Sequence, residues 1–171
     1  MPLQNRSNRF FTAAEAAEWS FIYDLEVYEM DIREATENDS KELAALMGQL
    51  GYPTTTENMK KRFSQIKQNP YYHTLLASYE DKVVGMIGLF KGYYYEREGF
   101  YVRIAALVVD SNYRNKGVGN KLLEEAECWA RKIGASGIGL NSGNRTERYH
   151  AHTFYRNRGY SEKSIGFVKS L

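Results

Sequence analysis

Apolar residues along this chain recur at two spacings, and the changes from one to the other mark out its elements. "MDIREAT", from Met30, reads as a first strand. In "ENDSKELAALMGQLG", Leu43, Leu46, Met47 and Leu50 fall on one helical face, with a cap at Asp39 or Ser40 and a stop at Gly51. "TTTENMKKRFSQIKQNP" gives a second helix, with Met59, Phe63 and Ile66 on one side and Pro70 beyond its end. "YYHTLLASYE" and "KVVGMIGLFKG" then read as a hairpin turning at Glu80-Asp81-Lys82. "GFYVRIAALVVD" is a long apolar run, expected as a central strand. Leu122, Ala126, Trp129 and Ile133 return to helical spacing, and Gly134 ends that helix. "SGIGLNS" follows as a short buried strand, "RTERYHAHTFYRNRG" as a helix closed by Gly159, and "YSEKSIGFVKSL" as strand material. Hairpins in the first half and a strand–helix–strand unit in the second predict an α/β (α+β) fold. Its sheet is expected to be mixed, mostly antiparallel and of six to seven strands, with helices on both faces.

The first 29 residues differ from the rest. "TAAEAAEW" sets Glu15 three residues after Thr12, a capping-box spacing, between Phe10-Phe11 and Trp19, Phe21 and Ile22. Residues 1–29 are therefore expected to be a helical extension that packs on the domain or on a second copy, leaving 30–171 as the compact domain. That segment and the last strands together suggest a homodimer.

Composition narrows the function by exclusion. A length of 171 residues suits one domain. The formal charge of +2 comes without a polybasic block, which argues against a nucleic-acid or acidic-membrane partner. No window reaches the roughly 18 apolar residues of a membrane-spanning helix. Glu15, Glu18 and Asp24 break the N-terminal apolar residues that a secretion signal would need. Cys128, the single cysteine, has no disulfide partner in the chain, so a reducing cytoplasm is the expected compartment. His150 and His152 stand two apart, where helical side chains diverge, so they are not read as a metal pair.

The stretch "VVDSNYRNKGVGNKLLEEAE" carries the chemistry. It passes from strand to helix through Arg114, Lys116, Gly117, Gly119 and Lys121. A helix N-terminus offers unpaired N–H groups and partial positive charge, a ready anion site. Glycines admit a phosphate close to the backbone. The P-loop pattern is absent, and the dinucleotide pattern fails because Leu122 occupies its third glycine position.

Arg114-Asn115-Lys116-Gly117-Val118-Gly119 resembles the R/Q-x-x-G-x-G/A motif of the GNAT superfamily of N-acetyltransferases, and "AHTFYRNRGY" is similar to that family's later A-x-x-F-Y-x-x-x-G-F/Y motif. The resemblance covers about Met30 to Leu171. It implies acetyl-coenzyme A as acyl donor and an amine, small-molecule or protein, as acceptor. The pyrophosphate is then expected on Arg114, Asn115, Lys116, Gly117, Val118 and Gly119, with Asn120 and Lys121 adjoining. The pantetheine arm is expected between splayed strands, against Leu107, Val108 and Val109 on one side and Gly139 to Asn141 on the other. Asn141 or Asn144 is expected to touch the cofactor; Asn144 stands further before Tyr155 than the commonest family spacing, and either asparagine also suits a turn.

The implied reaction is direct attack of a neutral amine on the thioester through a tetrahedral intermediate. A backbone N–H near Val108 or Val109 polarises the carbonyl, and Tyr155 protonates the leaving sulfur as general acid. Many relatives place an acidic base on the motif strand, where this chain has Ala105-Ala106. Glu96 and Glu98 upstream are the candidate bases, with water as the alternative. Tyr93, Tyr94 and Tyr95 are candidates for an amine pocket by cation–π contact. A non-catalytic acyl-CoA sensor and an ATP- or NAD-binding module are the competing functions.

Overall fold

The structure, a computed structural model, describes residues 30–143 and 146–170; the predicted N-terminal helix and Asn144 lie outside them. Five strands form one sheet in the order β1-β2-β3-β4-β5. They are β1 (Asp31–Glu34), β2 (Tyr72–Tyr79), β3 (Lys82–Tyr93), β4 (Phe100–Val109) and β5 (Ile138–Leu140). The first four pair antiparallel, and β5 joins β4 in parallel. The sheet is mixed as expected, but five strands replace the six to seven predicted. The missing strand is the C-terminal one: residues 161–170 form no regular element and lie exposed, with Ile165, Phe167 and Val168 uncovered. β4 has neighbours on both sides yet lies one strand from the edge, and β5 is half-buried rather than buried.

Helices cover both faces. Helices α1 (Ser40–Leu50) and α2 (Thr56–Gln68) bring Leu43, Leu46, Met59 and Phe63 onto Leu76, Met86 and Val108. On the other face, α3 (Val118–Lys132) lays Leu122, Leu123 and Ala126 over Val84, Ile87, Val102 and Ile104. The short α4 (Tyr149–Arg156) adds Phe154 and Tyr155 to the rim of that second cluster. Leu43, Leu46, Met59, Phe63, Leu122 and Ala126 are among the side chains whose helical spacing predicted these helices.

The turns follow their residues. Gly51 caps α1 at φ 101° and Gly134 follows α3 at φ 80°, both left-handed conformations that suit glycine. The β2–β3 hairpin turns at Glu80 and Asp81, both at positive φ (50° and 59°), as the twist of a two-residue hairpin demands.

Candidate active site

Two irregularities in β4 shape the site. The β3 register shifts between Gly88, which pairs with Ala106, and Leu89, which pairs with Ile104, so Ala105 is the extra residue of a bulge. Pairing with β5 runs only from Val102↔Ile138 to Ile104↔Leu140, whereas β4 continues to Val109. From Ala105 onward, then, the β5 side of β4 has no strand partner among the described residues. Leu107, Val108 and Val109 border that gap. Val108 is buried on the α1 side, while Leu107 and Val109 are half-buried on the α3 side. Beyond β5, Asn141 is exposed.

At the end of the gap the chain turns through Ser111–Tyr113 into the loop that opens α3. Asp110 caps the turn, accepting from the Asn112 N–H at 2.9 Å, and that bond holds its carboxyl below the ordinary range. Gln49 of α1 fastens the turn from the side: its Oε1 accepts from the Ser111 N–H at 2.8 Å and its Nε2 donates to Asp110 at 3.1 Å. Asn115 (φ 62°) and Gly117 (φ 83°) are both left-handed, and Gly117 is the N-cap of α3. The N–H groups of the next three residues, Val118 to Asn120, belong to a first turn that has no intrahelical acceptors.

The two glycines differ in what they permit. A Cβ on Gly117 would meet nothing within 4 Å, so its requirement is conformational. Gly119 makes room: a Cβ there would lie 3.4 Å from the Phe154 ring and 3.6 Å from Val109. It lets α4 close against the start of α3.

The basic residues are held to different degrees. Arg114 donates from Nε to the Val109 carbonyl at 3.3 Å. Lys116 and Lys82 lie 5.0 and 5.1 Å from the centre of the Tyr113 ring. Lys121 pairs with Glu125 at 3.4 Å. Asn120 spends its side chain on the protein, donating to Glu124 at 2.5 Å and accepting from Arg158 Nε at 2.6 Å. Arg158 also donates to the Phe154 carbonyl at 3.0 Å and lies 3.8 Å over its ring. It thereby ties the C-terminal end of α4 to the first turn of α3.

Tyr155 is largely buried, edge-on to Phe154 and Tyr160 at 5.2 and 5.7 Å between ring centres. Burial pushes its phenol up to about 12. Tyr160 donates to Glu127 at 3.2 Å and is pushed further up by burial and by that carboxylate. His152 contacts the Gly143 carbonyl at 3.2 Å through Nε2, and His73 stacks on Trp129 at 4.6 Å between ring centres.

Not all the sequence candidates converge. Glu96 and Glu98 are exposed in the β3–β4 connection, at the end of the ten-residue β4 remote from the anion loop. Tyr94 in the same connection packs on Tyr101 at 5.1 Å, accepts a hydrogen bond from Ser136, and carries Arg97 at 3.9 Å over its ring. Tyr95 is fully exposed. Gln49, Arg158 and Arg103 were not singled out from sequence. Gln49 and Arg158 act across 62 and 38 residues and leave no local pattern. Arg103 did leave a signal, as the one charge inside an otherwise apolar strand.

Comparison with known proteins agrees with this geometry. The family model described as Acetyltransferase (GNAT) family matches residues 25–160. An aminoalkylphosphonate N-acetyltransferase of Salmonella typhimurium is 30% identical over 142 residues, 82% of this chain and 91% of that protein. A GNAT family acetyltransferase of Staphylococcus aureus is 34% identical, covering 83% of this chain and 98% of its own, with a TM-score of 0.73. The glucosamine-6-phosphate N-acetyltransferase of Arabidopsis thaliana is 25% identical, over 84% of this chain and 99% of its own, with a TM-score of 0.70. No helix among the described residues is long and apolar enough to cross a membrane. With the glycine-opened start of α3, the interrupted β4–β5 pairing and these relatives in agreement, the chain belongs to the GNAT superfamily and is an N-acetyltransferase.

Proposed function

We propose that this protein moves an acetyl group from acetyl-coenzyme A to the primary amine of a small molecule, by direct attack. The observation that carries the reading is the gap beside β4, opening at Ala105 and running into the glycine-opened N-terminus of α3. A slot bordered by strand backbone and ending in an anion cradle fits a long, flexible thiol linked to a pyrophosphate. The cradle comprises the first-turn N–H groups of α3 with Arg114 and Lys116 beside them; Lys121 and Asn120 adjoin it. Two relatives, named for aminoalkylphosphonate and for glucosamine-6-phosphate, support a small amine as acceptor.

Acetyl-coenzyme A, when bound, would supply a thioester carbonyl open to attack by a neutral amine, with coenzyme A leaving as the thiol. The chain's part is to place and to protonate. Backbone N–H groups of β4 next to the gap, near Val108 or Val109, polarise the carbonyl, in a site already shaped to receive it. Tyr155 holds the proton that the departing sulfur takes. Because burial raises its phenol to about 12, Tyr155 stays protonated across the physiological range. Activity should therefore rise with pH as the acceptor amine loses its proton, without Tyr155 limiting it below that value. The exposed carboxylates Glu96 and Glu98 would receive the amine proton only by way of solvent, so water is the base we favour. Asn141 borders the cofactor's path from the β5 side.

Calorimetry against acetyl-coenzyme A, ATP and NAD, joined to a thiol-release assay over a panel of amines, tests this. Acetyl-coenzyme A alone is expected to bind, and Tyr155→Phe is expected to lower kcat about 100-fold with cofactor affinity unchanged. Binding of ATP or NAD instead of acetyl-coenzyme A would overturn the function. Undiminished turnover in the variant would remove Tyr155 from the chemistry.

A further inference from the structure

Arg103 is the single charged residue of β4. Its neighbours Val102 and Ile104 are 0% and 5% exposed and point into the core beneath α3. By strand alternation Arg103 projects from the opposite face. Directly across from it stand Phe90 on β3 and Gly139 on β5. This row of residues belongs to neither buried core cluster. It is walled by aromatic rings: Tyr72 lies 5.6 Å from Phe90, and Tyr101 lies over Gly92, where a Cβ would come within 2.6 Å of its ring. On its β5 side the floor is open, since a Cβ on Gly139 would meet nothing within 4 Å.

The guanidinium in this half-buried place has no hydrogen-bond or ion-pair partner among the described residues. Other arginines are engaged: Arg33 with Asp39, Arg131 with Glu127, Arg158 with Asn120, Arg97 with the Tyr94 ring. A cation set among aromatic rings and without a counter-charge among the described residues suits an anion from outside, and a guanidinium fork matches the two oxygens of a carboxylate, phosphate or phosphonate. Its place decides which molecule that is. Ala105, two residues along β4, is the exposed bulge residue at the mouth of the gap, about 7 Å away by strand rise.

We propose that Arg103 reads an oxyanion on the acceptor, so that the substrate is a small primary amine carrying a carboxylate, phosphate or phosphonate a short linker from its nitrogen. The assignment rests on the acetyl-transfer reading and adds the acceptor's chemical class and the residue that selects it. Spermidine and other polycations are disfavoured by the same charge.

The test is thiol release at saturating acetyl-coenzyme A with n-propylamine, β-alanine, 2-aminoethylphosphonate and spermidine, using the full chain. At least one anionic amine is expected to exceed propylamine in kcat/KM by about 10–100-fold, mainly through KM. Which of the two leads separates carboxylate from phosphonate recognition. Arg103→Gln is expected to bring that ratio close to one, and Arg103→Lys to restore part of it, with thermal melting showing each variant folded. Anionic amines no better than propylamine, or a ratio kept by Arg103→Gln, would overturn the assignment. Calorimetry on the same samples separates the two levels. Failure of the unsubstituted protein to bind acetyl-coenzyme A removes the acetyl-transfer reading and this inference with it. Binding accompanied by a flat amine profile removes only the role of Arg103.

Discussion

Gly117 and Gly119 look alike in sequence and meet different constraints: the first is held at φ 83°, and the second accepts the Phe154 ring. Their shared motif was legible because a glycine pair at a helix start is locally costly and asks for a reason. Their division of labour was not, because it depends on α4, more than 30 residues on. The same holds for Asp39, noted in sequence only as a possible cap. It accepts from Arg33 at 2.6 and 2.9 Å and from the Thr36 N–H at 2.7 Å, and these bonds hold its carboxyl down from 3.8 to about 2. A depressed folded-state value means the stabilisation is complete above the unfolded value and is lost as pH falls through the folded one. Denaturant titrations should accordingly show stability declining between pH 4 and 2. Asp39→Asn should flatten that decline and cost about 1–3 kcal/mol at neutral pH. An unchanged acid limb would show that Asp39 does not set it.

At the scale of elements, the helices were readable because each buries a stripe that its own periodicity announces. The C-terminal segment was misread for a physical reason. Alternation in "KSIGFVK" says which side chains would share a face, and says nothing of whether a strand edge is paired with it. What the pattern also hides is how closely layers approach. An ideal Cβ on Gly85 of β3 would lie 3.0 Å from both Leu122 and Val118 of α3, and 3.2 Å from the Val108 carbonyl. Gly85→Ala should push α3 outward, costing roughly 1–3 kcal/mol. Since α3 begins at the anion cradle, acetyl-coenzyme A affinity should fall as well. Chemical denaturation and calorimetry on one preparation check both; full stability in the variant would mean that the interface relaxes freely.

For the molecule as a whole, the candidate site belongs to no single element. β4 supplies one wall, β5 the other, α3 the anion end and α4 the phenol, while α1 fastens the turn through Gln49. A ligand spanning these parts binds only the assembled fold. Acetyl-coenzyme A at 100 times its Kd should add about 2.7 kcal/mol, raising Tm by roughly 5–10 °C for a chain of this size. ATP at the same concentration should leave Tm in place, and a null result with acetyl-coenzyme A would contradict the cofactor reading.

The short β4–β5 ladder has a further consequence, for the order in which the chain folds. Its three residue pairs join positions 36 apart, whereas the β2–β3 hairpin closes over two turn residues and extends through eight pairs. Chain entropy disfavours the longer closure, and three pairs return little for it. The β2–β3 hairpin is therefore expected to form early and the short parallel ladder late. Hydrogen exchange should then show the three-pair β4–β5 ladder opening more readily than the β2–β3 hairpin, and equal protection of the two would contradict that order.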